Sequence, residues 1–243
     1  EVVSKPDHDL ADTLPLIVGD LANRIRGVKD AKIQKFKTRP ETVKEVASLS
    51  NIRPAEKIIA IGSSTGGTEV VRYILECMPK ESPPIIVTQH MPEGFTASYA
   101  NRLNNSCKNL EVREAKNNDI LYSGLALIAP GNYHLVLQNE GLKYKVSTKS
   151  SPKVNRFRPS VDVMFTSTAE IAGEHAIGVI LTGMGEDGAE GLLKMKMKGA
   201  KTIAQSERTS AVFGMPQVAI KKNAVEFIED QDQIPVRILK LLS

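Results

Sequence analysis

The sequence predicts an α/β fold: a mostly parallel, doubly wound sheet with helices on both faces and an inserted antiparallel hairpin. Short continuous apolar runs predict the strands, because a strand covered on both faces loses the alternation of a half-exposed one. Ile58-Ile59-Ala60-Ile61, Ile85-Ile86-Val87 and residues 176–181 are of this kind. Between them stand segments with apolar residues at helical spacing, such as Val70, Val71, Ile74, Leu75 and Met78. Their regular alternation from Glu56 onward is the third observation, since strands separated by helices make a parallel sheet with two covered faces.

The elements follow in order. Strand 58–61 breaks into Gly62-Ser63-Ser64-Thr65-Gly66-Gly67, and a helix runs on to Met78. Pro83-Pro84 introduces strand 85–88, ended by Gln89-His90-Met91-Pro92, and a helix covers about 95–107. Residues 110–115 and 125–129 are the next strands, and 133–138 with 142–147 form a hairpin around Asn139-Glu140-Gly141. Ser160 is placed to N-cap a helix reaching Ala172. Strand 176–181 ends in Thr182-Gly183-Met184-Gly185-Glu186-Asp187-Gly188, and the helix after it stops near Gly199. Strands at 201–205 and 225–228 and a closing helix at 234–242 complete the domain, which spans 56–243.

Upstream of it, Leu14, Ile17, Val18, Leu21, Ile25 and Val28 mark one face of an amphipathic helix. A lone helix buries such a face only against a partner, so residues 1–28 are expected to be the remnant of an upstream domain. Residues 29–55 are polar, basic-leaning and aperiodic, and read as a linker. The chain opens on Glu1 rather than Met, as expected for a piece of something longer.

Composition narrows the function classes. The 243 residues are 41% hydrophobic and 25% charged, with a mild net charge of +4 and no dense Lys/Arg block to bind nucleic acid. No apolar run approaches the roughly 18 residues of a membrane span, and no secretory signal opens the chain. Cys77 and Cys107 alone, both in helix-like stretches, suit reduced thiols and a cytoplasmic location, and no Cys/His spacing suggests a metal.

In a parallel sheet, function gathers at the carboxyl ends of strands. Three groups of polar residues lie there: Ser63, Ser64 and Thr65; Gln89 and His90; Glu186 and Asp187. A hydroxyl, an imidazole and a carboxylate are the parts of a hydrolytic triad. Phosphate binding is the competing reading, since Gly62 to Gly67 has P-loop spacing. Thr68, however, stands where the lysine that reaches the terminal phosphates belongs. Gly62-Ser63-Ser64-Thr65-Gly66 instead matches the G-x-S-x-G nucleophile elbow and singles out Ser64. No histidine follows Asp187, which excludes the Ser…Asp…His order of α/β-hydrolases. Each residue also has a plainer role: Ser64 as a turn hydroxyl, His90 as a strand cap, Asp187 as N-cap of the helix starting at Ala189. His134 and His175 are expected to be structural or surface residues, and His8 lies in the appendage.

The blocks Ile59 to Glu69, Thr88 to Thr96 and Leu181 to Gly188 resemble the three active-site blocks of the chemotaxis protein-glutamate methylesterases. Val154 to Asp162 and Val212 to Pro216 resemble further blocks in the family's order. The resemblance implies hydrolysis of γ-glutamyl methyl esters on methyl-accepting chemotaxis receptors, with methanol released and receptor glutamines also deamidated. It implies Ser64 as nucleophile, His90 as general base and Asp187 as its orienting carboxylate. The backbone N–H groups of Met184 and, more weakly, Thr65 become oxyanion donors, with no cofactor or metal. Ser63 departs from the family's usual alanine and Glu186 from a common asparagine, the latter expected to perturb the triad's charge modestly. The family also carries a phosphorylated receiver domain upstream, fed by a phospho-donor kinase. Ser4-Lys5-Pro6 and the helix at 14–28 resemble its last strand end and last helix. The alternatives are a related serine hydrolase or amidase acting on other protein side chains, and a non-catalytic receptor-binding signalling module.

Overall fold

The computed structural model describes residues 57–141 and 143–243, together with Val18, Ala22 and Ile25. Those three are helical, with Val18 and Ile25 exposed. The rest of the expected upstream remnant and the linker lies outside the described residues.

A seven-stranded sheet, parallel at every pairing, forms the frame. Its strands are β1 (Ile58–Ser63), β2 (Ile85–Gln89), β3 (Glu111–Glu114), β4 (Leu125–Ile128), β7 (Ala176–Ile180), β8 (Lys201–Gln205) and β9 (Phe227–Glu229). They lie in the order β3-β4-β2-β1-β7-β8-β9. The hairpin is β5 (His134–Glu140) with β6 (Lys143–Lys149), antiparallel and separate from the sheet. Strand β5 runs two residues further toward the tip than the sequence suggests, where Glu140 pairs with Lys143, and β6 begins one residue later and ends two later than expected.

Side chains alternate between two cores, as a strand's period of two requires. Ile59 and Ile61 of β1 face a core shared with α1 (Gly67–Cys77), α2 (Thr96–Ser106) and α6 (Ile234–Leu242). Ile58 and Ala60 face the other core, shared with α3 (Val161–Ala172), α4 (Ala189–Met197), α5 (Met215–Lys221) and the hairpin. Both faces are thus covered, which is why these strands are apolar throughout. The second face is packed closely against β1. A Cβ on Gly62 would stand 2.2 Å from Val161 Cγ1, so glycine there lets the start of α3 settle onto the strand.

Most elements match the sequence expectations within one or two residues, and 201–205 and 234–242 match outright. β1 runs two residues beyond its apolar stretch because Gly62 and Ser63 still pair with Thr88 and Gln89. β9 starts later than expected, since Glu226 N–H is taken by Thr202 O (3.1 Å) before the ladder begins. Helix α5 was not expected as a helix: its seven residues are too few to display a period.

The chain places β2 on one side of β1 and β7 on the other. The strand order therefore reverses at the carboxyl ends of β1 and β7, where crevices form in such sheets. Ser64 leaves β1 at this point. No helix among the described residues is long and apolar enough to cross a membrane.

Candidate active site

The turn after β1 is stitched to both neighbouring loops. Ser64 N–H donates to Thr182 O just past β7 (3.0 Å), and His90 N–H donates to Ser63 O (3.0 Å). Gln89, buried at the end of β2, ties the turn to the His90 loop. Its Oε1 accepts from Ser63 Oγ (2.6 Å) and its Nε2 donates to Ser64 O (2.9 Å). The glycines here are steric requirements. Gly66 has φ +80°, and a Cβ on Gly67 would meet Ser63 Cβ at 2.6 Å. A buried hydroxyl–amide pair holds Ser63, whereas Ser64 is buried but keeps 8% of its surface exposed. Among the described residues, Ser64 Oγ has no hydrogen-bond partner.

His90 and Asp187 are joined directly: His90 Nε2 lies 2.7 Å from Asp187 Oδ2. The imidazole side chain is 5% exposed and the carboxylate 0%, so this bond is shielded from competing water. A carboxylate accepts, so Nε2 carries the proton and Nδ1 keeps its lone pair. His90 Nδ1 is buried and has no partner. Phe157 stacks on the ring at 3.6 Å between centroids and 8° between planes, fixing its tilt. The last register pair of β1 and β2 is Ser63 with Gln89, so Ser64 and His90 are the next residues along two adjacent strands. The structure thus joins His90 to Asp187 and sets Ser64 just past the end of the strand neighbouring that of His90, with no hydrogen bond between Ser64 and His90.

Asp187 is saturated with donors. Oδ2 also accepts from Val161 N (2.7 Å), and Oδ1 accepts from Ser160 Oγ (2.7 Å), Asn155 Nδ2 (2.9 Å) and Asp162 N (3.3 Å). Burial by itself pushes its pKa up, but the bonds from His90, Asn155 and Ser160 outweigh that and hold it below the ordinary carboxylate value. Asp187 stays ionised and orients His90. Asn155 reaches it from a tight turn in which Val154 and Phe157 exchange both backbone hydrogen bonds (3.1 and 2.8 Å). Asn155 and Arg156 at its centre have φ of 51° and 71°, the type I′ conformation. One short turn thereby delivers both Asn155 and Phe157.

The loop after β7 closes the other side. A Cβ on Gly183 would sit 2.6 Å from Ser64 Cβ and 2.4 Å from Met215 Sδ, so only glycine lets this loop pass the serine. Gln205 Oε1 accepts from Thr182 N (2.9 Å), and Thr182 Oγ1 donates to Thr65 O (3.0 Å), tying the loop to the serine turn. Among the described residues, the N–H groups of Met184 and Thr65 donate to nothing. No cluster of three or more His, Cys, Asp or Glu side chains is placed to hold a metal among the described residues.

Some sequence expectations are met here and others change. Asp187 is not the N-cap of α4: Gly188 holds that position without a side-chain bond, and Asp187 instead accepts from the first turn of α3. Glu186 is exposed, and the carboxylate that feels Asp187 is Asp162, whose pKa is raised chiefly by its own burial. Ser160 caps α3 as expected, but its hydroxyl also donates to Asp187. His175 is exposed, whereas His134 is fully buried. Both cysteines are buried and outside any disulfide, and burial pushes the Cys107 thiol up to about 12. Sequence reasoning assigned no role to Asn155, Phe157, Thr182 or Gln205. Asn155 carried a signal, because asparagine is the side chain most at ease at positive φ. Gln89 and Gln205 carried another, each being the polar last residue of an apolar strand.

Comparison with known proteins shows the family. Residues 59–238 match the family model described as CheB methylesterase. A protein-glutamate methylesterase/protein-glutamine glutaminase of Geobacter metallireducens is 42% identical over 99% of this chain and 71% of its own length. One from Salmonella typhi is 44% identical over 100% of this chain and 69% of its own. The crystal structure of the Thermotoga maritima CheB methylesterase catalytic domain superposes with a TM-score of 0.74 at 41% identity, covering 76% of this chain and 98% of that one. The chain belongs to the CheB methylesterase family.

Proposed function

We propose that this protein hydrolyses γ-glutamyl methyl esters on methyl-accepting chemotaxis receptors, releasing methanol, and deamidates receptor glutamines by the same route. What supports this reading is a buried His90–Asp187 pair whose Nδ1 has no partner among the described residues, at the end of the strand next to the one that Ser64 follows. Ser64 Oγ attacks the γ-carbonyl while His90 Nδ1 takes its proton. Met184 N–H and Thr65 N–H receive the oxyanion, and a single such donor contributes about 3–4 kcal/mol to the transition state. The imidazolium then gives its proton to the departing methanol or ammonia. Water, activated by the same nitrogen, releases the glutamate and restores Ser64. Asp187, already ionised, stabilises the imidazolium without taking a proton.

Residues 1–28 and 29–55 are read as a receiver remnant and linker, so a phospho-donor kinase acting on that receiver governs access to the site. The receptor tails it serves are cytoplasmic. Methyl-labelled receptor membranes test the activity: labelled methanol should appear with this protein, and ammonia from receptors carrying glutamine at the same positions. Absence of both products from a folded sample overturns the reading. For the regulatory part, this chain should release methanol faster than an unphosphorylated full-length parent, and a slower rate would contradict it.

A further inference from the structure

His134 is a buried imidazole that the hydrolytic steps do not use. It opens β5, is 0% exposed, and both its ring nitrogens are engaged. Nε2 lies 3.0 Å from Pro152 O, which only accepts, so Nε2 carries the proton. Nδ1 is then left as an acceptor, and it takes the backbone N–H of Ser160 at 3.2 Å. Two independent neighbours therefore select one neutral tautomer.

That N–H belongs to the N-cap of α3, a position whose amide has no partner inside the helix. In a capping box a Glu or Gln at the third helical position would accept it. Here that position is Val163, which has nothing to offer, and His134 accepts in its place. The consequence reaches Asp187. Three of its five donors, Ser160 Oγ, Val161 N and Asp162 N, come from this single turn of helix. Whatever sets the position of Ser160 sets all three together.

We propose that His134 is a positioning residue of the hydrolytic site, its Nδ1 holding the first turn of α3 in register with Asp187 and, through Asp187, with His90. This rests on the reading of Asp187 as the carboxylate that orients the base. Side-chain geometry separates the role from mere packing. In His134→Asn the Oδ1 atom falls where Nδ1 was and keeps the acceptor for Ser160. In His134→Gln the amide replaces the Nε2 donor to Pro152 and the Ser160 acceptor is lost.

The test compares wild type, H134N and H134Q in the whole chain by methanol release and by the downfield proton resonance of His90 Nε2–H. H134Q should lower kcat by about ten- to a hundredfold, as small misplacements of catalytic groups do, with KM within about twofold. The His90 resonance should move upfield. H134N should recover most of the lost rate and return the resonance toward its wild-type position. Equal losses in H134N and H134Q that follow their Tm values, or an unmoved resonance in H134Q, overturn the proposal. Should H134Q not fold, the wild-type ring decides by nitrogen NMR: an Nε2–H tautomer with a hydrogen-bonded Nδ1 is expected, and an Nδ1–H tautomer overturns it. The resonance comparison stays readable even if wild type releases no methanol, so failure of the activity and failure of the positioning role are distinguishable.

Discussion

Asp187 and Ser64 stand on loops of the same sheet edge and are treated in opposite ways. Asp187 is wholly buried and accepts five hydrogen bonds, from His90, Asn155, Ser160, Val161 and Asp162. Around Ser64, by contrast, the hydroxyl, His90 Nδ1 and the amides of Thr65 and Met184 have no partner among the described residues. One half of the site has its hydrogen bonds made within the protein, and the other has groups without partners among the described residues. In the proposed reaction folding energy and catalytic work would divide along this line: the carboxylate half is held by the fold, and the serine half would gain its bonds only during the reaction.

Mutations on the two sides should break this division differently. His90→Ala removes the group that links them and should lower kcat by roughly 10⁶-fold, while Asp187→Asn should cost about 10⁴-fold by losing the ionised orienter. Methanol release measures both. Gly183→Ala forces a methyl into Ser64 and Met215 and should cost about 10²-fold by displacing the serine, leaving the His90–Asp187 proton resonance in place. Asn155→Ala acts on the finished side and should lower kcat about tenfold.

Asn155→Ala should also change the pH response, and the sign follows from linkage. The Asp187 pKa is depressed below its ordinary 3.8, so its contribution to stability is present above that value and is lost as pH falls through the folded pKa. Removing the Asn155 donor raises the folded pKa. Acid unfolding followed by circular dichroism should therefore begin at a higher pH in the variant. An unchanged acid transition would mean that Asn155 matters for geometry alone.

The frame, and the sheet edge that carries Ser64, His90 and Asp187, were legible in the sequence because both depend on local pattern. Continuous apolar runs gave the strands, and polar residues just beyond them marked the edge at which Ser64, His90 and Asp187 meet. The support around Asp187 was not legible, because it joins distant segments. Asp187 lies next to α4 in sequence, yet it serves the first turn of α3, which begins 26 residues earlier. Nothing local tells a carboxylate which helix end it will meet. Phe157 was silent for a related reason: its stacking on His90 depends on the positive φ of Asn155 and Arg156, which aims the residue after the turn. The side that the fold completes is the side that sequence pattern left hidden.

The central claim is that Ser64, rather than its neighbour Ser63, is the nucleophile served by the His90–Asp187 pair. Methanol release from methyl-labelled receptor membranes by Ser64→Ala and Ser63→Ala proteins of matched Tm tests it most directly. The expected loss is roughly 10⁶-fold for Ser64→Ala. Ser63→Ala should lose no more than about tenfold, the scale of its one hydrogen bond to Gln89. Near-normal release from Ser64→Ala, or a collapse confined to Ser63→Ala, would contradict the account.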